Sequence, residues 1–151
     1  MKFIARVCAT FFGLGFVPLA PGTAASLAAA LLYKLFLFKL AWPVLFLLVF
    51  ALALGGVPAA SFYSRELGQK DPRRVVIDEA AGQLATLILV PPDWISVGSA
   101  FLLFRVFDIL KPFPIRRIER LRAGWGIMAD DLGAAFYARL VLQVVLLARG
   151  L

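Results

Sequence analysis

Residues 42–63 read WPVLFLLVFALALGGVPAASFY, a run without one charged side chain. A helix needs about 20 apolar residues to cross ~30 Å of hydrocarbon, so this stretch is long enough to span a bilayer. Pro43 suits a first helical turn, where the missing N–H has no partner to lose. The rest of the chain has the same character. Of 151 residues 62% are hydrophobic and only 17% charged, and mean hydropathy is +0.91. A soluble domain is about half apolar and a quarter charged.

Four further apolar segments flank this run, each bounded by turn signals. One runs from about Thr23 to Leu40, after Pro21-Gly22; another opens near Ile77 and stops before Pro91-Pro92. The next runs from Trp94 to Leu110, where Pro112 forces an end, and the last from Asp131 to Ala148. Several of these are short for a bilayer, so the third and fourth segments in chain order form a pair that crosses or dips. Between Pro112 and Gly124, Ile115, Ile118 and Leu121 share one helical face amid arginines, the pattern of a helix lying among headgroups. The predicted fold is all-α: one domain, residues 1–151, an integral membrane bundle of about five apolar helices with a short interfacial helix. The N-terminal stretch imitates a signal peptide, but Gly13, Gly15, Pro18 and Pro21 interrupt it, and a retained, membrane-seated segment is expected instead.

Threading the five segments alternately puts eight of the nine carboxylates on one side. That side also collects most of the lysine and arginine, which the positive-inside rule makes cytoplasmic. Trp42 and Trp94 fall at the opposite interface. The net charge of +7 suits anionic lipid. Nucleic acid is not expected, because the charges form no soluble basic face, and nothing in the sequence calls for an obligate protein partner.

With no histidine and one cysteine, Cys8, the chain has no Ser-His-Asp triad, no disulfide within itself and no thiolate or imidazole metal site. It also lacks the phosphate-binding G-x-x-x-x-G-K-[ST] loop. Oxygen ligation of a hard cation, Mg²⁺ first, is what remains. The donors come in three groups. Asp78 and Glu79 open the third segment, where the helix dipole favours negative charge. Asp108 ends the fourth, with Arg105 and Lys111 three residues to either side. An acid at a helix C-terminus opposes the dipole, which argues against a purely stabilising role. Asp130 and Asp131 enter the fifth behind Gly124 and Gly126, which permit a tight bend. Adjacent acids repel unless they share a cation. Five carboxylates with Arg105 and Lys111 beside them suit metal-assisted chemistry on a phosphate.

These strings resemble the phosphatidylglycerophosphatase A family of bacterial lipid phosphatases. The matching residues are Ala20-Pro21-Gly22-Thr23 with Ser26-Leu27, Asp71-Pro72 with Val75 to Gly82, Phe104 to Pro112 with Pro114-Ile115, and Gly126 to Asp131. Alanine stands at 25, 123 and 135, where the family often has glycine. The resemblance implies Mg²⁺-dependent hydrolysis of phosphatidylglycerophosphate to phosphatidylglycerol and phosphate, in the bacterial inner membrane with the site facing the cytosol. It implies that Asp78, Glu79, Asp108, Asp130 and Asp131 bind metal or handle the attacking water, and that Arg105 and Lys111 bind phosphate. Thr23 would offer donors to the anion at a helix N-terminus.

Two other readings compete. CDP-alcohol phosphotransferases also carry aspartates at membrane helix ends, but Asp131-Leu132-Gly133 lacks their Asp-Gly junction and no acid follows. A small transporter or lipid-binding protein would place its acids near the midplane, whereas here they gather at one interface. Arg139, midway along the last segment, must either face a polar interior and pair with an acid or mark a shallower helix.

Overall fold

The computed structural model describes residues 2–122 and 124–151, leaving Ala123 and its noted departure outside; among the described residues there are seven α-helices and no strand. They are α1 (Lys2–Ala9), α2 (Pro21–Leu35), α3 (Trp42–Leu67), α4 (Ile77–Leu87), α5 (Trp94–Leu110), α6 (Ile115–Ile118) and α7 (Gly124–Ala148). The all-helical class therefore stands. Of the five expected apolar helices, only α3 and α7 are long and apolar enough to cross a membrane, with mean hydropathy 2.3 and 1.6.

Local chemistry explains most boundaries. Asp93 caps α5, its Oδ1 accepting from the N–H groups of Ile95 at 3.1 Å and Ser96 at 3.0 Å, which satisfies two of the free donors at that helix end. At the far end Lys111 takes the left-handed conformation and its N–H closes on the Phe107 carbonyl, ending the helix before Pro112. Helix α3 runs past Tyr63 to Leu67, and Gly68 then takes up a left-handed C-cap, the role glycine fills at least cost. The expected interfacial helix is a single turn, α6.

Two boundaries differ from the sequence reading in ways that shape the site. Helix α7 begins at Gly124, not at Asp131, so the acid pair lies in its second turn. The glycine does not bend the chain. It lets α7 cross α3 at close range: a Cβ on Gly124 would lie 2.1 Å from the Val57 carbonyl oxygen, and the Gly124 N–H donates to Ser61 Oγ at 2.8 Å. Helix α4, in turn, stops at Leu87, and Leu89 turns left-handed ahead of the two prolines.

That early stop strands carbonyls in an apolar setting, where each unpartnered one is costly. Side chains from other helices take them up. The Tyr33 hydroxyl donates to Val90, Lys34 Nζ to Pro92, and Arg139 Nη2 to Leu89 at 3.4 Å. Arg139 thus faces the unwound end of α4 and not an acid. Tyr33 is 4% exposed. Tyr33→Phe would leave the Val90 oxygen unpartnered, and we expect a loss of about 1–3 kcal/mol in denaturant unfolding.

Helix α4 occupies the centre, packed against α2, α3, α5 and α7. Its buried Ala80 and Ala81, with Ala134 and Ala138 of α7 and Ala25 and Ala29 of α2, let the backbones approach closely. With eleven residues, α4 is about half the length that spans a bilayer. The two ends of the bundle differ in character. One gathers the acids of α4, α5 and α7. At the other, Arg149 binds Ser96 Oγ (2.6 Å) and Asp93 Oδ1 (3.2 Å), and Lys34 lies over the Trp94 ring.

Candidate active site

Asp78 and Glu79 leave the first turn of α4, Asp130 and Asp131 the second turn of α7, and Asp108 the last turn of α5. With Lys111 at the α5 C-cap they line one cavity of about 150 Å³. All five carboxylates named from sequence therefore meet, although they come from three separate stretches of chain.

The structure divides these acids into two kinds. Asp78, Glu79 and Asp131 each present an oxygen within 4.8 Å of the others. Asp78 Oδ1, Glu79 Oε2 and Asp131 Oδ2 are buried and have no hydrogen-bond partner. The other two acids hold cations. Asp108 Oδ2 lies 2.6 Å from Arg105 Nη1, which also donates to Ser26 Oγ at 3.4 Å. Asp130 Oδ2 lies 2.5 Å from Lys111 Nζ, and its Oδ1 accepts from the Asp131 N–H at 3.0 Å.

Burial first, and then the charges of Glu79 and Asp131, push the Asp78 carboxyl well above the usual range, since both effects disfavour the ionised form. Burial likewise lifts Glu79 to about 7. At Lys111 burial works downward, but the contact with Asp130 outweighs it and the amine is held above its ordinary value. Three carboxylates so close together, each with a buried oxygen that has no partner, are unfavourable by themselves and match the donor set of a hard divalent cation. The residues fit such an ion.

The α2–α4 contact fixes this arrangement. A Cβ on Gly22 would sit 1.9 Å from Glu79 Oε1, so Gly22→Ala must displace that carboxylate. We expect at least about a tenfold fall in activity, accompanied by weaker cation binding in a titration followed by thermal unfolding.

The family model for phosphatidylglycerophosphatase A matches residues 7–146, a span that contains every one of these side chains. The chain belongs to that family. A Haemophilus influenzae phosphatidylglycerophosphatase A is 39% identical over 93% of this chain and 87% of its own length. The Escherichia coli phosphatidylglycerophosphatase A is 36% identical over 93% and 82%. A Bacteroides thetaiotaomicron protein, provisionally named as a phosphatidylinositol-3-phosphatase, is 37% identical over 95% and 94%. No solved structure matches.

Two of the residues named from sequence stand outside the cavity lining, Arg105 and Thr23. Arg105 lies directly behind the lining residue Asp108. Thr23 sits half-buried on α2, beside the Gly22 that touches Glu79. Asp71 and Arg73, which sequence reasoning did not name as site residues, do line the cavity. Ser26 and Glu119 were also missed. Ser26 follows Gly22 by one helical turn, a spacing that could have drawn attention to it. Glu119 stands 3.6 Å from Lys111 across a loop, which leaves no local signal.

Proposed function

We propose that this chain hydrolyses the terminal phosphomonoester of phosphatidylglycerophosphate, releasing phosphatidylglycerol and phosphate, with Mg²⁺ as the cation. The observation that carries this reading is the trio of partnerless buried oxygens on Asp78, Glu79 and Asp131, inside a family of lipid phosphatases. The lipids in the relatives' names share one architecture: a phosphodiester next to the diacylglycerol and a phosphomonoester further out.

Asp78, Glu79 and Asp131 would hold the ion. When bound, such a cation polarises a phosphoryl oxygen and makes water a better nucleophile near neutral pH. Lys111, which lines the cavity, binds the non-bridging phosphate oxygens, and Arg105 adds positive charge from behind Asp108; Asp108 and Asp130 keep these two cations in place before substrate arrives. Water attacks phosphorus, a cavity carboxylate takes its proton, and the P–O bond to glycerol breaks as that oxygen is protonated. Direct attack by water is favoured here over a covalent phospho-enzyme because the carboxylates crowd where a cation belongs.

The chain sits in the bacterial inner membrane as a multi-pass bundle. Helices α3 and α7 cross fully, α2 and α5 cross with thinner cover, and α4 with its unwound end fills the interior. The excess of lysine and arginine at the acidic end turns the site toward the cytosol. The acyl tails then lie along the helices while the headgroup meets the cavity.

Purified protein should release phosphate from phosphatidylglycerophosphate, lose that activity in EDTA and regain it with Mg²⁺. Mg²⁺ without substrate should also raise the thermal midpoint, since an ion at a hundred times its Kd adds about 2.7 kcal/mol to the folded state. Indifference to EDTA in both assays would remove the metal from this reading.

A further inference from the structure

Beside the acidic cavity lies a larger cleft of about 510 Å³, walled by Leu67, Gln69, Asp71, Pro72, Arg73 and Arg74. The two spaces share Asp71, Pro72 and Arg73. The other two cations of the site are committed: Arg105 to Asp108, and Lys111 to Asp130 and Glu119. Arg73 and Arg74 are exposed, and the ion pairs among the described residues include neither. Two arginines against one acid leave the cleft wall net positive.

Their backbone is nonetheless firmly placed. The Val76 N–H donates to the Ala9 carbonyl at 2.9 Å, and the Val75 N–H closes a turn on Pro72 at 2.9 Å. Gly15 presses on the same segment, where a Cβ would lie 2.0 Å from the Arg74 oxygen. The Arg74 guanidinium lies 5.4 Å from the centre of the exposed Phe16 ring. The cleft thus sets two guanidinium groups that no carboxylate among the described residues pairs, Arg74 with an apolar ring beside it, against the mouth of a cavity large enough for a phosphate.

A lipid that puts its phosphomonoester into the small cavity has its phosphodiester a few carbons back, outside the mouth, with the acyl chains beyond. We propose that Arg73, assisted by Arg74, forms a second anion subsite that binds this phosphodiester and so selects phosphomonoesters borne on a glycerophospholipid headgroup. The planar guanidinium suits two phosphate oxygens at once. Arg73 is then a specificity-determining residue that acts on binding, not a group that touches the reacting phosphorus. The inference rests on the phosphatase reading above.

The test compares wild type, Arg73→Gln and Arg73→Lys in detergent micelles with phosphatidylglycerophosphate as substrate. Two inhibitors separate the subsites: short-chain phosphatidylglycerol, which carries only the diester, and inorganic phosphate, which mimics only the monoester. In Arg73→Gln the KM should rise about tenfold or more, with most of the loss in KM and little in kcat. Inhibition by phosphatidylglycerol should weaken to the same degree and inhibition by phosphate should stay unchanged; Arg73→Lys should recover part of the loss. An unaltered KM overturns the subsite. So does phosphatidylglycerol failing to inhibit wild type, or phosphate inhibition weakening in parallel. A wild-type protein that releases no phosphate overturns the phosphatase reading instead.

Discussion

Asp131→Asn is expected to abolish phosphate release, by roughly a thousandfold or more, while the helices stay folded. Asp131 is 2% exposed, and its Oδ2 has no partner in a site it shares with Asp78 and Glu79. Asparagine keeps the shape and removes the charge. A buried carboxylate without a partner is a burden on the fold, so the amide should leave stability in metal-free buffer unchanged or raised. In Mg²⁺ the order reverses, because wild type gains a bound ion and the variant does not. Phosphate release and thermal midpoints with and without Mg²⁺ check both halves. Full activity would take Asp131 out of the site. Lost activity with an intact Mg²⁺ response would assign it some other task than holding the ion. Asp78→Asn should behave alike, since Asp78 Oδ1 is orphaned in the same way. Asp130→Asn should not: it leaves Lys111 only the more distant Glu119 and should lower stability in either buffer.

The contrast between these aspartates marks where sequence reasoning ran out. Turn chemistry is local, so the limits of α5 could be read from Trp94 and Pro112, and the start of α3 from Pro43. The convergence of acids could be anticipated from the alternation of apolar segments. The early end of α4 could not, because the groups that accept its loss of helix (Tyr33, Lys34 and Arg139) lie on α2 and α7. Nor could the start of α7 be placed, since Gly124 and Gly126 read equally well as a bend or as a close helix crossing. Which acids stand free and which hold a cation is also a tertiary fact. Arg105 and Asp108 announce their pairing by three-residue spacing, but Lys111 reaches Asp130 only because α5 and α7 lie side by side.

The Arg105–Asp108 pair carries the other large expectation. Arg105→Gln should cost roughly a hundredfold in kcat/KM, for two reasons that can be separated. The phosphate loses a nearby positive charge, and Asp108 is left as an uncompensated charge beside Asp78, Glu79 and Asp131. Both side chains of the pair are largely shielded from solvent. Breaking a buried pair by removing one partner costs about 3–5 kcal/mol of stability. Asp108→Asn frees Arg105 from its anchor, and only the 3.4 Å contact with Ser26 then remains to place it. Much of the catalytic loss should therefore appear again. In Arg105→Gln/Asp108→Asn no buried charge is stranded, so stability should return most of the way toward wild type while activity stays near that of the poorer single variant. Both patterns are non-additive, as expected of groups that act as one unit. A double-mutant cycle in kcat/KM and in unfolding free energy measures them together. Additive losses in kcat/KM would mean that Arg105 meets phosphate without help from Asp108, and additive losses in stability would mean that the ion pair contributes nothing beyond its separate members.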